Sequence, residues 1–287
     1  MFNLANILTG MNLVCGVISI ILSFSGQLDL AVYAIFIGAF FDFCDGFVAR
    51  KLNLMSDLGK QLDSLSDLVT FGVAPGILMF IMIIIGVNPD NLIESQSSNT
   101  LFYDYYVVQE FFTWVNGTFY EIPNTFDASI KWLPFIALIV PFFALFRLAK
   151  FNLDNSQSVN FIGFPTPLVA ILLSFFPLYF FLNIQDWNSQ PELVFWIYDC
   201  YSLAIITFSL SILMLSRIPL MSLKFQKLQS KENRLKIILI LISVVSIPFL
   251  KVLSIPFIIT LYFIISIYHS IKLNNNKVLW FGILVFK

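Results

Sequence analysis

The chain is a series of long, nearly uncharged apolar runs separated by short polar segments. A helix needs about 20 apolar residues to cross roughly 30 Å of hydrocarbon, and eight runs come near this length. The predicted spans cover residues 4–25, 28–49, 64–86, 132–152, 164–183, 194–215, 235–250 and 253–271. The seventh is short and contains Pro248, so we expect it to kink or to form a hairpin with the eighth. The pattern predicts an all-α polytopic membrane protein.

Composition supports this class. Of the 287 residues, 59% are hydrophobic and only 11% are charged, which is more apolar surface than a soluble domain of this size can bury. The three cysteines lie in separate apolar runs and the chain has one histidine, so no thiol or imidazole metal site is expected. No nucleic-acid partner is expected either.

The distribution of Lys and Arg predicts the topology. Fourteen of the sixteen fall after spans two, four and six or in the C-terminal tail, and the other two, Lys131 and Lys251, fall on the opposite side. By the positive-inside rule, both termini face the cytoplasm. The segment 87–129 is then an external loop, expected to act as a lid or to pack on the helices. The basic segment 216–236 is either an ordinary cytoplasmic loop or a surface for anionic lipid headgroups.

Four aspartates lie at the cytoplasmic ends of spans two and three, where charge is costly and its default interpretation is a functional site. Asp42 and Asp45 are three residues apart and share one helical face. Asp63 and Asp67 are four residues apart on the next helix, after a short turn around residues 53–56. Two antiparallel helices are therefore expected to bring four carboxylates together at one membrane level.

Four neighbouring carboxylates repel one another, and nearby Arg50 and Lys60 supply only two positive charges. An all-oxygen acidic site favours hard divalent cations such as Mg²⁺ or Mn²⁺. Two such ions attract a pyrophosphate, which indicates phosphoryl-type transfer at a membrane surface. The alternative is a carrier whose acids form an ion pathway, but carriers place such acids near the membrane midplane on several broken helices.

The spacing D-x2-D-G-x2-A-R-x8-G-x3-D-x3-D runs from Asp42 to Asp67 without deviation. It resembles the signature of the CDP-alcohol phosphotransferases. The resemblance implies a catalytic core of six transmembrane helices, a homodimer, a site for two Mg²⁺ or Mn²⁺ ions, and exchange of CMP for an incoming alcohol. We expect this core in residues 1–225, followed by a C-terminal helical hairpin and tail in residues 226–287, which adds about two transmembrane helices.

Within that family, four further segments resemble the bacterial and archaeal phosphatidylserine synthases. They are Gly59–Gly76, Phe146–Asn152, Phe161–Pro167 and Ser216–Phe225. The resemblance implies transfer of the phosphatidyl group of CDP-diacylglycerol to L-serine in a bacterial cytoplasmic membrane. Two residues depart from the pattern: Ala5 replaces a usual Pro, and Lys150 replaces an expected Arg, whose bidentate hydrogen bonding Lys cannot reproduce.

The resemblance also implies roles for individual residues. The metal ligands are expected to be Asp42, Asp45, Asp63 and Asp67, with Asp67 also the general base. The expected CDP-binding residues are Gly46, Arg50, Gly59, Asn6 and Thr9, although Asn6 and Thr9 could instead make ordinary hydrogen bonds between helices. The expected serine-binding residues are Arg147, Lys150 and Asn152, although such cations could simply reach the membrane surface.

Alternatives of two kinds stay open from sequence. The same chemistry could use glycerol 3-phosphate, inositol phosphate or choline as the acceptor. A non-catalytic membrane carrier is the alternative of another class.

Overall fold

The computed structural model describes residues 3–87, 101–120, 131–153, 161–183, 190–216, 218–220 and 231–273, and these are almost entirely helical. The helices are α1 (Leu4–Phe24), α2 (Leu28–Lys51), α3 (Asp57–Leu68), α4 (Ala74–Val87), α5 (Leu101–Phe119), α6 (Ile139–Leu153), α7 (Thr166–Asn183), α8 (Glu192–Tyr198), α9 (Cys200–Leu213), α10 (Lys231–Leu250) and α11 (Ser254–Leu273). A π-helical turn, Val69–Val73, joins α3 to α4. Short 3-10 turns at Leu133–Leu138 and Lys251–Leu253 precede α6 and α11.

The all-α membrane class is confirmed. Six helical stretches of the described ranges are long and apolar enough to cross a membrane, and α8 with α9, bent by 65°, raises the number to seven. The last two predicted spans correspond to α10 and α11, which by length and composition together form one candidate stretch, Lys236–Ile267. Lys251 breaks that stretch with a φ of 48°, and α10 and α11 contact each other across the break.

The continuous rod from α3 through α4 lies at the centre of the bundle. Residues 78–85 of α4 are buried on every side, with exposed fractions of 7% or less. A helix that is apolar all round lies in a protein core or in lipid, and α4 is enclosed by protein because it contacts α1, α7, α9 and the 3-10 turn before α6. The aspartate-bearing α3 is therefore the extension of the most rigidly packed helix.

The glycines Gly16 of α1 and Gly38 of α2 allow the π turn to approach these two helices closely. A Cβ at Gly16 would lie 2.5 Å from Thr70 Oγ1, and one at Gly38 would lie 2.7 Å from Thr70 Cγ2. Thr70 is fully buried, and its hydroxyl donates to the carbonyl of Asn12, with 2.9 Å between the oxygens. This contact fixes α3 and its aspartates against α1.

The predicted external loop contains a structured element. Within 87–129, α5 is a 19-residue helix whose Trp114 side chain is only 2% exposed. The indole packs edge-on against Phe80 of α4, with ring centroids 5.1 Å apart, and donates from Nε1 to the carbonyl of Lys131 at 3.0 Å. The sequence analysis did not predict this helix, because polar residues surround its aromatic residues in the segment.

A two-stranded antiparallel pair closes the segment before α7. The strands β1 (Phe161–Ile162) and β2 (Pro219–Leu220) pair in register, and Gly163 follows with a φ of +84°. A Cβ at Gly163 would lie 2.7 Å from the carbonyl oxygen of Ser216. The chain entering α7 is thus held at a fixed position. The predicted domain boundary at residue 225 lies outside the described residues.

Candidate metal and substrate site

Three carboxylates form a tight cluster where α2 and α3 meet. One oxygen each from Asp42, Asp63 and Asp67 lies within 4.8 Å of the other two. Asp45, one helical turn from Asp42, lies outside this group, although its charge acts on Asp42 and Asp63. The structure therefore brings together three of the four predicted metal ligands closely and the fourth at their side.

The hairpin between α2 and α3 follows from local chemistry. Asn53, a residue type that tolerates left-handed backbone, has a φ of 54° after the end of α2. Ser56 caps α3 by accepting a hydrogen bond at its Oγ from the Gly59 backbone N–H at 3.0 Å. The turn reverses the chain within five residues, so the acidic faces of the two helices meet as predicted.

Helix α1 supplies polar contacts to two of the aspartates. Thr9 donates from Oγ1 to Asp45 Oδ2 at 2.6 Å, and Asn12 donates from Nδ2 to Asp67 Oδ1 at 3.2 Å. Ser66 in turn donates to the carbonyl of Thr9 at 3.0 Å. The side chains of Thr9 and Asn12 are buried, so each buried donor has an acidic partner that offsets its desolvation.

Sequence reasoning missed Asn12. The signal was available, because Asn6, Thr9 and Asn12 recur every three residues on an otherwise apolar helix and so share one face.

A cavity of about 380 Å³ opens beside the aspartates. All five predicted CDP-binding residues line it, together with Asp45 and Asp63. Sequence reasoning missed four polar or flexible lining residues on the α2–α3 turn and the start of α3, namely Met55, Ser56, Asp57 and Lys60. The residues predicted to bind CDP therefore line one concave space, which includes Asp63 of the acidic cluster.

Two glycines keep this cavity open. A Cβ at Gly59 would lie 3.1 Å from Ser56 Oγ and 3.2 Å from Asn6 Oδ1, and a Cβ at Gly46 would lie 3.3 Å from Arg50 Nη1. Larger side chains at either position would fill space between polar groups that face the cavity.

The predicted serine-binding residues have three different environments. Arg147 is partly buried near the cluster, where the charge of Asp67 acts on it. Lys150 is exposed. Asn152 connects α6 to α3, since its Nδ2 donates to Ser64 Oγ at 2.7 Å and its carbonyl accepts from Lys60 Nζ at 2.8 Å.

The carboxylate cluster fits a metal. Like charges 4 Å apart repel by about 4 kcal/mol at an effective dielectric constant of 20, and a divalent cation among the three oxygens converts this repulsion into attraction. The ligand atoms are all carboxylate oxygens, which suit hard cations. The arrangement defines a class: a helical membrane protein with an acidic metal-type site next to a polar cavity.

Comparisons with known proteins identify the family. Residues 2–93 match the model of the CDP-alcohol phosphatidyltransferase family. The chain is 30% identical over 226 residues to the CDP-diacylglycerol--serine O-phosphatidyltransferase of Bacillus subtilis, covering 77% of this chain and 92% of that protein. This chain belongs to the CDP-alcohol phosphatidyltransferase family, a family of enzymes that includes phosphatidylserine synthases.

More distant relatives carry related names. The archaetidylserine synthase of Methanothermobacter thermautotrophicus is 28% identical over 180 residues, which are 61% of this chain and 58% of that protein. The CDP-diacylglycerol--serine O-phosphatidyltransferase of Saccharomyces cerevisiae is 54% identical over 50 residues, 17% of this chain and 18% of its own length. The identity is thus highest in a short stretch.

Proposed function

We propose that this protein transfers the phosphatidyl group of CDP-diacylglycerol to the hydroxyl of L-serine, giving phosphatidylserine and CMP. The observation that carries the proposal is the cluster of Asp42, Asp63 and Asp67 next to a cavity that Asp63 lines together with the residues expected to bind CDP. Serine as acceptor is supported by the names of the relatives and by a partly buried arginine beside the cluster.

The four aspartates would hold two divalent cations, Mg²⁺ or Mn²⁺. Bound there, these ions would neutralise the pyrophosphate and stabilise CMP as it leaves. Asp45 would contribute the oxygen that does not accept from Thr9, because that hydrogen bond engages only Oδ2. Thr9 would thereby orient a ligand in addition to lining the nucleotide cavity.

The cavity residues would hold the CDP moiety. Arg50 brings a cation to the cavity wall and would pair with a phosphate oxygen. Gly46 and Gly59 would let the nucleotide approach the backbone of α2 and α3, and Asn6 and Thr9 would offer hydrogen bonds from α1. The diacyl chains would then remain on the lipid side of the bundle.

Asp67 would act as the general base. It would take the proton of the serine hydroxyl while the serine oxygen forms a bond to the phosphorus that carries the diacylglycerol. The bond from that phosphorus to the CMP oxygen breaks, and CMP leaves with the electron pair. The hydrogen bond from Asn12 engages Oδ1 of Asp67 and orients the carboxylate.

Arg147 would bind the serine carboxylate. It is the cation of the predicted acceptor set on which the charge of Asp67 acts, and its fork of N–H donors matches a carboxylate. Lys150 would contribute longer-range attraction from the exposed helix end, and Asn152 would act by holding α6 against Ser64.

The proposal includes the setting of the enzyme. The excess of Lys and Arg near the cluster supports an active site and termini that face the cytoplasm, in the cytoplasmic membrane of a bacterium. Family resemblance supports a homodimer.

The test is an assay of purified protein with CDP-diacylglycerol, Mg²⁺ or Mn²⁺, and labelled serine, glycerol 3-phosphate, inositol phosphate or choline. We expect CMP release that depends on serine and on the metal. Release with another acceptor but not with serine would assign a different alcohol to the same chemistry. No release with any acceptor, alongside retained CDP-diacylglycerol binding, would favour a carrier. Asp29→Asn, at the other end of α2, is the matched control for substitutions in the cluster.

A further inference from the structure

Arg147 has one fixed hydrogen-bond partner on a neighbouring helix. Its Nη1 donates to Thr166 Oγ1 at 3.1 Å. Thr166 is the first residue of α7 and is fully buried. A buried hydroxyl that accepts from a guanidinium makes a stronger contact than one between neutral groups.

The hydrogen bond to Thr166 leaves another nitrogen of the Arg147 guanidinium without a partner among the described residues. Nε of Arg147 is buried and has no hydrogen-bond partner among the residues that the structure describes. A buried charged donor without a partner is costly, so the site is incomplete until an acceptor reaches this edge of the guanidinium. An anionic oxygen supplied by a substrate would complete it.

The backbone around Thr166 is held in place from both sides. Gly163 N–H donates to the carbonyl of Ile218 at 2.9 Å, which anchors the chain just before α7. Pro165 and Pro167 flank Thr166 and restrict its backbone, and the carbonyl of Pro165 accepts from the N–H of Val169 at 3.2 Å. The threonine hydroxyl is therefore a fixed point rather than an adaptable one.

We infer that Thr166 is a positioning residue for the acceptor site: it holds Arg147 so that the free edge of the guanidinium receives the carboxylate of the incoming amino acid. This inference rests on the proposed function, because it needs an acceptor with a carboxylate. It also gives a reason for the Phe161–Pro167 segment, whose prolines and glycine fix Thr166 without touching the substrate.

The test is a set of three variants in the serine-dependent assay. Thr166→Val keeps the volume and removes the hydroxyl, Thr166→Ser keeps the hydroxyl, and Thr207→Val is the control. Thr207 is also fully buried, and its hydroxyl donates only locally, to the carbonyl of Leu203 at 2.7 Å. Melting temperatures of the three variants identify any that fails to fold.

We expect Thr166→Val to raise the serine KM about tenfold, equivalent to about 1.4 kcal/mol, with kcat and the KM for CDP-diacylglycerol within twofold of the parent. Thr166→Ser is expected to restore the serine KM, and Thr207→Val to leave it unchanged. The inference is overturned by an unchanged serine KM in Thr166→Val, by a loss confined to kcat, or by equal losses in Thr166→Ser.

Failure of the proposed function has a different signature. It would appear as a parent protein that releases no CMP with serine, whatever the variants do. In that case the inference is tested without turnover, by measuring the melting temperatures of the parent and of Thr166→Val at increasing serine concentrations. A serine-dependent rise in the parent that is reduced in the variant supports it, and equal curves contradict it.

Discussion

Asn12 donates a hydrogen bond to Asp67, with 3.2 Å between Nδ2 and Oδ1. The two residues are 55 positions apart in the chain, yet the buried amide holds Oδ1 of the carboxylate in place. Asn12 is itself fixed, because its carbonyl accepts from Thr70. In the proposed role of Asp67 as general base, a carboxylate oriented in this way needs little rearrangement before it accepts a proton.

Replacing Asn12 is expected to reduce turnover more than substrate binding. Asn12→Leu removes the donor at similar volume, and a hydrogen bond to a charged group contributes about 1.5–3 kcal/mol. We expect kcat to fall at least tenfold, with the serine KM within threefold of the parent. Ser19→Ala is the control, because Ser19 is equally buried on the same helix. Equal kcat values for the two variants would show that Asn12 only packs.

Asp67→Asn is expected to separate binding from chemistry. A general base contributes about 10²–10⁴-fold to rate, so CMP release should fall at least a hundredfold while CDP-diacylglycerol binding, measured with labelled substrate, persists. Asp29→Asn should retain full activity. An active Asp67→Asn variant would remove Asp67 as the base.

Metal removal is expected to reverse the order of the melting temperatures of the parent protein and the Asp42→Asn variant. Without divalent cations, Asp42→Asn relieves repulsion in the cluster and should melt at a higher temperature than the parent. With Mg²⁺ or Mn²⁺, the parent should gain more, because a bound ion stabilises the folded state that holds it. Thermal melts in EDTA and in each metal measure both. A parent that melts higher in EDTA as well would contradict a repulsive cluster that needs a cation.

Gly16→Ala is expected to destabilise the bundle. The added Cβ would lie 2.5 Å from Thr70 Oγ1 and 2.8 Å from its Cα, and overpacking of this kind costs about 1–3 kcal/mol. Gly10→Ala is a matched control on the same helix, since a Cβ there meets nothing within 4 Å and alanine favours a helix over glycine. Thermal melts in detergent should therefore shift down for Gly16→Ala and not for Gly10→Ala. Equal shifts would mean that α1 tolerates a wider separation from the π turn.

Arg147→Lys is expected to raise the serine KM at least tenfold, because an ammonium cannot match the two donors that the guanidinium presents to a carboxylate. The KM for CDP-diacylglycerol should stay within twofold. Lys251→Ala, at the other end of the bundle in the predicted topology, is the control. A serine KM equal to that of the control would assign carboxylate recognition to another residue.

The α2–α3 hairpin could be predicted because its determinants are local. Helical spacing places Asp42 and Asp45 on one face, Asp63 and Asp67 on another, and a short turn makes the faces meet. Asn152 shows the limit of such reasoning. Its hydrogen bond to Ser64 depends on how α6 packs on α3, and spacing within one helix does not predict that packing. Helix α5 shows the same limit. The segment 87–129 was predicted as a loop because it is rich in polar residues, and the contact of Trp114 with Phe80 depends on how α5 packs on α4.

The π turn at Val69–Val73 shifts the helical repeat of side chains between α3 and α4 in the third span. Each residue of an α-helix advances the side-chain direction by about 100°, and a π turn holds an additional residue within the same rod. The face that carries Asp63 and Asp67 therefore does not continue in line along α4. The acidic side chains upstream and the packing side chains downstream therefore follow helical repeats that are offset by one residue at the turn. After deletion of one residue there, the acidic face would keep its direction toward Asp42 only if the four remaining residues wound as a regular α-helix.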